Sequence, residues 1–406
     1  MKFSKKDNCT CCLSKQLTTF IDFGKVPLAG AFVKSFEETV LFPLSLSFCS
    51  KCSHVQVNEY IDKNYLFKDY RYASGYSMKE HFSEFSDKIV EIFGNNLCIM
   101  EIGSNDGTLL TLLNRNGNTV KGVEPSTNIS QIAIENGLDI INDFFSSEVL
   151  LDNNIEQNSF DIITASNCFA HIQEIDVILK GVNFAMKLNG TFIIEVHYGP
   201  HLFETCQYDF IYHEHMYYYS LASLEALLNR HELSMYDVEF IPIHGGSIRA
   251  FVKKQKNTNL SKSEFLIDQL KIENEKGFSQ LETYIAFRDK VHSEISTISS
   301  ILKELKDNNC SIIAFGAAGR ANAFLNYAKI NTKTIEFIYD ESPERVNRYI
   351  PNANIPIRIF NDADNIIFDC LFITAWNFKD QILRKCKNLK YKYLLVAFPT
   401  VKLVEL

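Results

Sequence analysis

The chain has 406 residues, of which 46% are hydrophobic, and a formal net charge of −8. That length admits two to four domains, and that apolar fraction supports real cores. An acidic balance argues against a dedicated nucleic-acid binder, which carries a basic face. No run reaches the about 18 uninterrupted apolar residues of a membrane span. The opening MKFSKKDNCTCC has lysines but no apolar segment of a secretory signal. The expectation is a cytoplasmic protein with neither nucleic-acid nor membrane partners, whose eleven cysteines are thiols or metal ligands rather than disulfides.

Residues 1–70 carry Cys9-x-x-Cys12 and Cys49-x-x-Cys52 among short strand-like runs. Each spacing lets two thiolates turn toward one ion, and two such pairs make the tetrahedral sulfur set of a closed structural zinc site. The third cysteine of CTCC, Cys11, leaves the ligand choice in that knuckle open. Reduced thiols without metal are the alternative. A redox pair fits less well, because neither C-x-x-C opens a βαβ pattern.

Residues 71–255 alternate apolar strands with helix-like segments, the pattern of a parallel α/β sheet. In LCIMEIGSNDG (97–107) a strand runs into an acidic glycine loop containing Glu101, Gly103, Ser104, Asp106 and Gly107, and TLLTLLNR continues as a helix. Glycines at such a turn let the backbone approach a ligand. The loop lacks the middle glycine of the dinucleotide fingerprint. Glu124 ends the second strand, where a carboxylate accepts ribose hydroxyls. Asn142, Asp143 and Phe144 follow the third strand and are expected to hold an adenine edge and face. FDIITASN places Asn167 after the fourth strand. All of these groups fall at the carboxyl ends of strands, where open α/β sheets bind ligands. Asp106 is either a ribose or methionine contact or a helix N-cap. Loop and order resemble the class I S-adenosylmethionine-dependent methyltransferases, whose positively charged sulfonium suits an acidic loop; a Rossmann-like NAD fold is the rival.

After a fifth strand, TFIIEV (191–196), the segment through YDFIYHEHMYYYS (208–220) is too polar for a core helix and is expected to hang over the carboxyl edge of the sheet. Imidazoles titrate near neutrality and serve as general bases. A neighbouring carboxylate can orient an imidazole, and tyrosine hydroxyls can donate to a developing oxyanion. The segment therefore holds the parts for removing a proton beside a carbonyl. Each of Tyr217, Tyr218 and Tyr219 is expected to pack, and His213 to be a surface or core residue. HGGSIR (244–249) should turn between the last two antiparallel strands, with His244 either at substrate or packed.

Residues 256–305 read as a long amphipathic helical connector. From about 306 a second α/β pattern begins. AFGAAGR opens a helix, so Gly316, Gly319 and Arg320 can hold a nucleotide diphosphate. On pattern alone a second cofactor site competes with that reading.

Several of these stretches together resemble the sugar C-methyltransferase family across essentially the whole chain. Tyr212-x-Glu214-His215 with the following tyrosines and Ser220 is similar to its E-H-x-x-Y-x-S segment. PLAGAF (27–32), YRYASGYSMKEHF (70–82), SNCFAHI (166–172), GAAGRANAFLNY (316–327) and IYDESPERVNRYIPNANIPI (338–357) match further motifs in order. The resemblance implies a zinc-binding module, a class I methyltransferase domain and a second Rossmann-like domain that closes over the substrate. It implies methylation at C3 of a nucleotide-linked 4-keto-deoxysugar. His215 would be the base, supported by Glu214 and Tyr212, with Tyr76 and His171 approaching the sugar. Arg345 and Asn347 stand where the family has Lys and Gly, which puts the phosphate contacts in doubt. An O-methyltransferase and a non-catalytic scaffold are the rival functions. The pattern does not fix the oligomeric state, with which a monomer is compatible.

Overall fold

In the computed structural model, which describes residues 3–35, 39–67, 78–361 and 366–406, the chain builds four sheets. The N-terminal module holds β1 (Phe3–Lys5), β2 (Leu17–Val26), β3 (Phe42–Cys49), β4 (Val55–Val57) and β5 (Glu59–Ile61). The central domain holds β6 (Cys98–Ile102), β7 (Thr119–Val123), β8 (Ile140–Ile141), β9 (Phe160–Ser166), β10 (Met186–His197), β11 (Tyr217–Tyr218), β12 (Leu233–Ile241) and β13 (Ser247–Lys254).

Its seven-stranded sheet runs β12-β13-β10-β9-β6-β7-β8. The strands from β10 through β8 pair in parallel, while β13 is antiparallel to both β10 and β12. This is the class I methyltransferase order. β6 and β9 are apolar almost throughout because helices cover both faces. One cover is Lys79–Phe93, whose Phe82, Phe85 and Ile89 recur at helical spacing and are buried. The strand order reverses between β6 and β9, so a crevice opens at their carboxyl ends.

The expected connector is two helices, Glu264–Glu275 and Leu281–Asp307, rather than one. Gly277, at φ 78°, makes the break, since a left-handed residue ends a helix at little cost only as glycine. The C-terminal sheet, ordered β16-β15-β14-β17-β18-β19, contains β14 (Ile312–Phe315), β15 (Ile338–Asp340), β16 (Ile357–Ile359), β17 (Cys370–Ile373), β18 (Tyr393–Val396) and β19 (Lys402–Glu405). All pairs are parallel except that of β18 with β19, so this is a second Rossmann-like half.

The three modules meet around one cleft. β11 pairs with β4 and so adds the central domain's chain to the N-terminal sheet. Asn322, in the helix after β14, donates to the Leu28 and Ala29 carbonyls at 3.0 and 2.9 Å. The Tyr327 hydroxyl donates to the Ile211 carbonyl.

Candidate active site

The two cysteine knuckles are built alike. Leu13 N–H donates to the Cys9 carbonyl and Ser53 N–H to the Cys49 carbonyl, both at 2.9 Å, with φ of 61° and 62° at the two donors. These turns aim the four sulfurs at one point. Cys9, Cys12, Cys49 and Cys52 Sγ lie within 4.8 Å of one another, with Cys9–Cys52 at 3.5 Å and Cys12–Cys49 at 3.6 Å. Tetrahedral zinc with bonds of about 2.3 Å spaces its sulfurs by about 3.8 Å, so the set fits. Cys11 is buried outside the set, which settles the ligand choice in CTCC.

A cleft of about 1480 Å³ runs from the carboxyl ends of β6, β7 and β9 to the C-terminal domain. Its floor is the acidic glycine loop. Gly103 (φ 67°) and Asn105 face the cleft, and a Cβ on Gly103 would lie 2.9 Å from that of Cys168. Gly107 packs the following helix against Leu138, 2.2 Å from where its Cβ would sit. Asp106 precedes the N-cap Gly107 and turns back on the helix start: its Oδ1 accepts from the Thr108 N–H and hydroxyl at 3.2 and 2.6 Å. Glu124 lines the cleft and accepts from Asn105 N–H at 2.9 Å and Ser126 N–H at 2.8 Å. Its remaining lone pairs can take the ribose hydroxyls.

Asn142 is spent differently from expectation. Its side chain donates to the Glu124 carbonyl at 2.7 Å and accepts from the Thr127 hydroxyl, bracing the strand end from an exposed position. Asp143 is exposed and accepts from Phe144 N–H. Of the three, Phe144 lines the cleft, with Lys63 Nζ 4.5 Å from its ring centre.

The cofactor test rests on hydrogen-bonding capacity left unused. Glu101 Oε2, Ser104 Oγ, Thr164 Oγ1, Ser166 Oγ and Asn167 Nδ2, in or just after β6 and β9, are buried without partners among the described residues. Buried polar groups are rarely left so, and several at one strand edge mark where a polar ligand docks. Ser104 shapes that edge from within, its hydroxyl 2.5 Å from where a Cβ on Gly122 would stand. Burial, then the charges of Asp106 and Glu124, push the Glu101 carboxyl well above its ordinary range. A cationic sulfonium or ammonium relieves that repulsion, so the residues fit S-adenosylmethionine.

The far side of the cleft is made by histidines. His171, His197, His215 and His244 all line it. The His215 ring is 4.9 Å from His171, 5.1 Å from His197, 4.0 Å from Tyr212 and 4.2 Å from Phe210, centre to centre. Its Nδ1 lies 2.7 Å from the Phe210 carbonyl. A carbonyl only accepts, so Nδ1 carries the proton and the Nε2 lone pair is free. Burial, then His171 and His197, hold His215 well below the usual imidazole range. Burial likewise lowers His171 and His244 to about 4 and His197 to about 3. The cluster is neutral at pH 7.

Three expectations need correction. Glu214 does not pair with His215: its Oε2 is buried without a hydrogen-bond partner among the described residues, and burial, opposed by its own backbone N–H and those of Gly30 and Ala29 in the N-terminal module, raises it to about 7. The Phe210 carbonyl orients His215 instead. Arg320 lines the cleft, but the Nε–Nη2 edge of its guanidinium is committed to Asp209, Nε to Oδ2 at 2.8 Å and Nη2 to Oδ1 at 2.9 Å, which leaves only its Nη1 donors for a ligand. The YDFIYHEHMYYYS segment lies over the carboxyl edge only in part: Asp209, Phe210, Tyr212 and His215 line the cleft, while Tyr217, Tyr218 and Tyr219 are buried in the joint with the N-terminal module, where they pack as expected. His213 is a core residue whose Nε2 lies 3.1 Å from the Pro43 carbonyl. Gly316 (φ 100°) and Gly319 line the cleft, and both are forced small by close neighbours, Ala375 and Ala29. Tyr76 lies outside the described residues. His197 was missed, although its place at the carboxyl end of β10 was a readable signal. Asp209 and Phe210 carried none.

Comparison with known proteins agrees with this site. Residues 9–67 match the model of a zinc binding domain, 71–238 a methyltransferase domain, and 242–397 a C-methyltransferase C-terminal domain. C-methyltransferase NovU of Streptomyces niveus is 28% identical over 384 residues, 93% of this chain and 91% of that protein. Along nearly its whole length the chain is thus similar to C-methyltransferases. It is an S-adenosylmethionine-dependent C-methyltransferase, with S-adenosylmethionine and zinc as its cofactors. Solved structures match it in part. The PH0226 protein of Pyrococcus horikoshii OT3 is 14% identical, covering 48% of this chain and 99% of that one at a TM-score of 0.38. The 1,6-didemethyltoxoflavin-N1-methyltransferase of Burkholderia thailandensis is also 14% identical, covering 44% and 80% at 0.35. No described helix is long and apolar enough to cross a membrane.

Proposed function

We propose that this C-methyltransferase acts at C3 of a nucleotide-linked 4-keto-deoxysugar in the cytoplasm, by deprotonation beside the ketone. The observation that carries the reading is the free, neutral Nε2 of His215 on the wall of a cleft that also holds the cofactor edge. A ketone acidifies its neighbouring C–H, which brings that proton within reach of an imidazole. His215 takes it at Nε2, and the Phe210 carbonyl stabilises the imidazolium through Nδ1–H. Tyr212, whose ring is tilted against that of His215 at 4.0 Å, and His171 are the candidate donors to the enolate oxygen. Glu124, Phe144, Asn167 and the Gly103 loop hold S-adenosylmethionine, which supplies an electrophilic methyl group when bound.

The nucleotide end of the substrate belongs on the opposite wall. There Arg345, paired with Asp340, Lys385, paired with Glu341, and Arg348 line the cleft beside the amino end of the Gly319–Tyr327 helix. Cations and a helix amino terminus suit a diphosphate. The 1480 Å³ cleft has room for both ligands at once.

Incubation with S-adenosylmethionine and a panel of nucleotide-linked 4-keto-deoxysugars, read by mass and carbon NMR, tests the reading. One methyl gained on the ring carbon beside the ketone is the expected product. A methyl on oxygen would replace the enolate mechanism.

A further inference from the structure

We propose that Arg320 is a positioning residue of the C-terminal domain that acts through Asp209 and Phe210 to hold His215 in the tautomer with a free Nε2. The proposal rests on the reading of His215 as the base.

Asp209 is 1% exposed and closely bonded. Besides the two-pronged pair with Arg320, its Oδ2 accepts from Trp376 Nε1–H at 2.9 Å. Such a fork fixes both position and plane of the carboxylate. The guanidinium covers two rings as well, with Cζ 4.8 Å from the centre of Phe210 and 5.0 Å from that of Trp376. Asp209 and Phe210 share the short helical turn Tyr208–Phe210, so the grip on one sets the other. Phe210 then meets the base twice. Its carbonyl takes Nδ1–H at 2.7 Å, and its ring lies 4.2 Å from the His215 ring and 4.9 Å from that of His197. A chain of contacts thus runs from the helix after β14 to the imidazole.

Joining domains does not account for it. The C-terminal domain is already fastened by Asn322 to Leu28 and Ala29 and by Tyr327 to Ile211. Lysine cannot replace arginine here, because it offers neither a fork nor a flat face.

The test reads the imidazole directly, so it does not depend on knowing the substrate. The zinc-loaded full chain with S-adenosylmethionine bound is labelled with ¹⁵N-histidine, and His215 is assigned by its loss in His215→Asn. The wild type should show a single Nδ1–H pattern for His215. Asp209→Asn and Arg320→Lys should each replace it with an averaged, mixed-tautomer pattern, and Arg320→Lys alone suffices where the other does not fold. Asn322→Ala, which removes a domain contact outside this chain, should leave the signal as in the wild type. Unchanged His215 signals in the folded variants, or an equal change in Asn322→Ala, overturn the proposal. Wild-type turnover by His215→Asn would instead overturn the base reading and leave the tautomer result standing.

Discussion

The two Rossmann-like sheets use one backbone device with different side-chain charges around it. Each first strand ends at a left-handed glycine, Gly103 (φ 67°) or Gly316 (φ 100°). Each second strand ends in a carboxylate that accepts one N–H from the loop after the first strand and another two residues downstream. Glu124 takes Asn105 and Ser126 at 2.9 and 2.8 Å; Asp340 takes Ala317 and Ser342 at 2.7 and 2.8 Å. There the likeness stops. Asp340 is also paired with Arg345 at 3.1 Å, while no cation reaches Glu124 among the described residues and Glu101 adds a second acid beneath it. The central end gathers carboxylates with no paired cation among the described residues, whereas the C-terminal end sets Arg345 and Lys385 against Asp340 and Glu341. Fold does not choose the ligand; the side chains set on it do.

His215→Ala should have the largest effect, because it removes the group between the two ends. Turnover should fall by about 10²- to 10⁴-fold, the range of a lost general base, while S-adenosylmethionine binding measured by calorimetry stays the same. Next, Glu124→Gln should weaken S-adenosylmethionine binding by about 10- to 100-fold, the worth of a charge-assisted hydrogen bond, and leave the Kd of the sugar nucleotide unchanged. Arg345→Ala should do the reverse, raising KM for the nucleotide-linked substrate by about tenfold or less because the side chain is 30% exposed. Crossed effects, with Glu124→Gln acting on the sugar nucleotide or Arg345→Ala on the cofactor, would break the comparison.

The smallest expected effect is on stability against pH. His171, His197 and His244 are held to about 4, 3 and 4 by burial, against about 6.5 in the unfolded chain. Below pH 6.5 the unfolded chain therefore binds more protons than the folded one. Stability should be full above pH 6.5 and decline as pH falls toward about 3–4. Glu214, raised to about 7, acts in the opposite sense as pH rises from about 4.5, which narrows the optimum. Melting temperatures across pH 4–8 check both limbs; a flat acid side would mean that the histidines are solvated.

Short-range features were legible in the chain itself. Two C-x-x-C pairs, an acidic glycine loop after an apolar strand and a carboxylate ending the next strand depend on residues within a turn or a strand of one another. Local backbone preference and alternation of apolar runs specify them before any tertiary contact forms. The fates of Glu214, Arg320 and the tyrosines were not legible. Arg320 meets Asp209 across 111 positions, and Asn322 meets Ala29 across 293. A carboxylate beside a histidine in sequence suggests a pair, yet in an extended or turning chain neighbours point apart. Glu214 thus goes to the N-terminal module and His215 to the cleft. The sequence determined which chemical groups each module owns; only the packing of three modules decided which of them face one another, because the partners that fix a buried charge come from whichever surface excludes water around it.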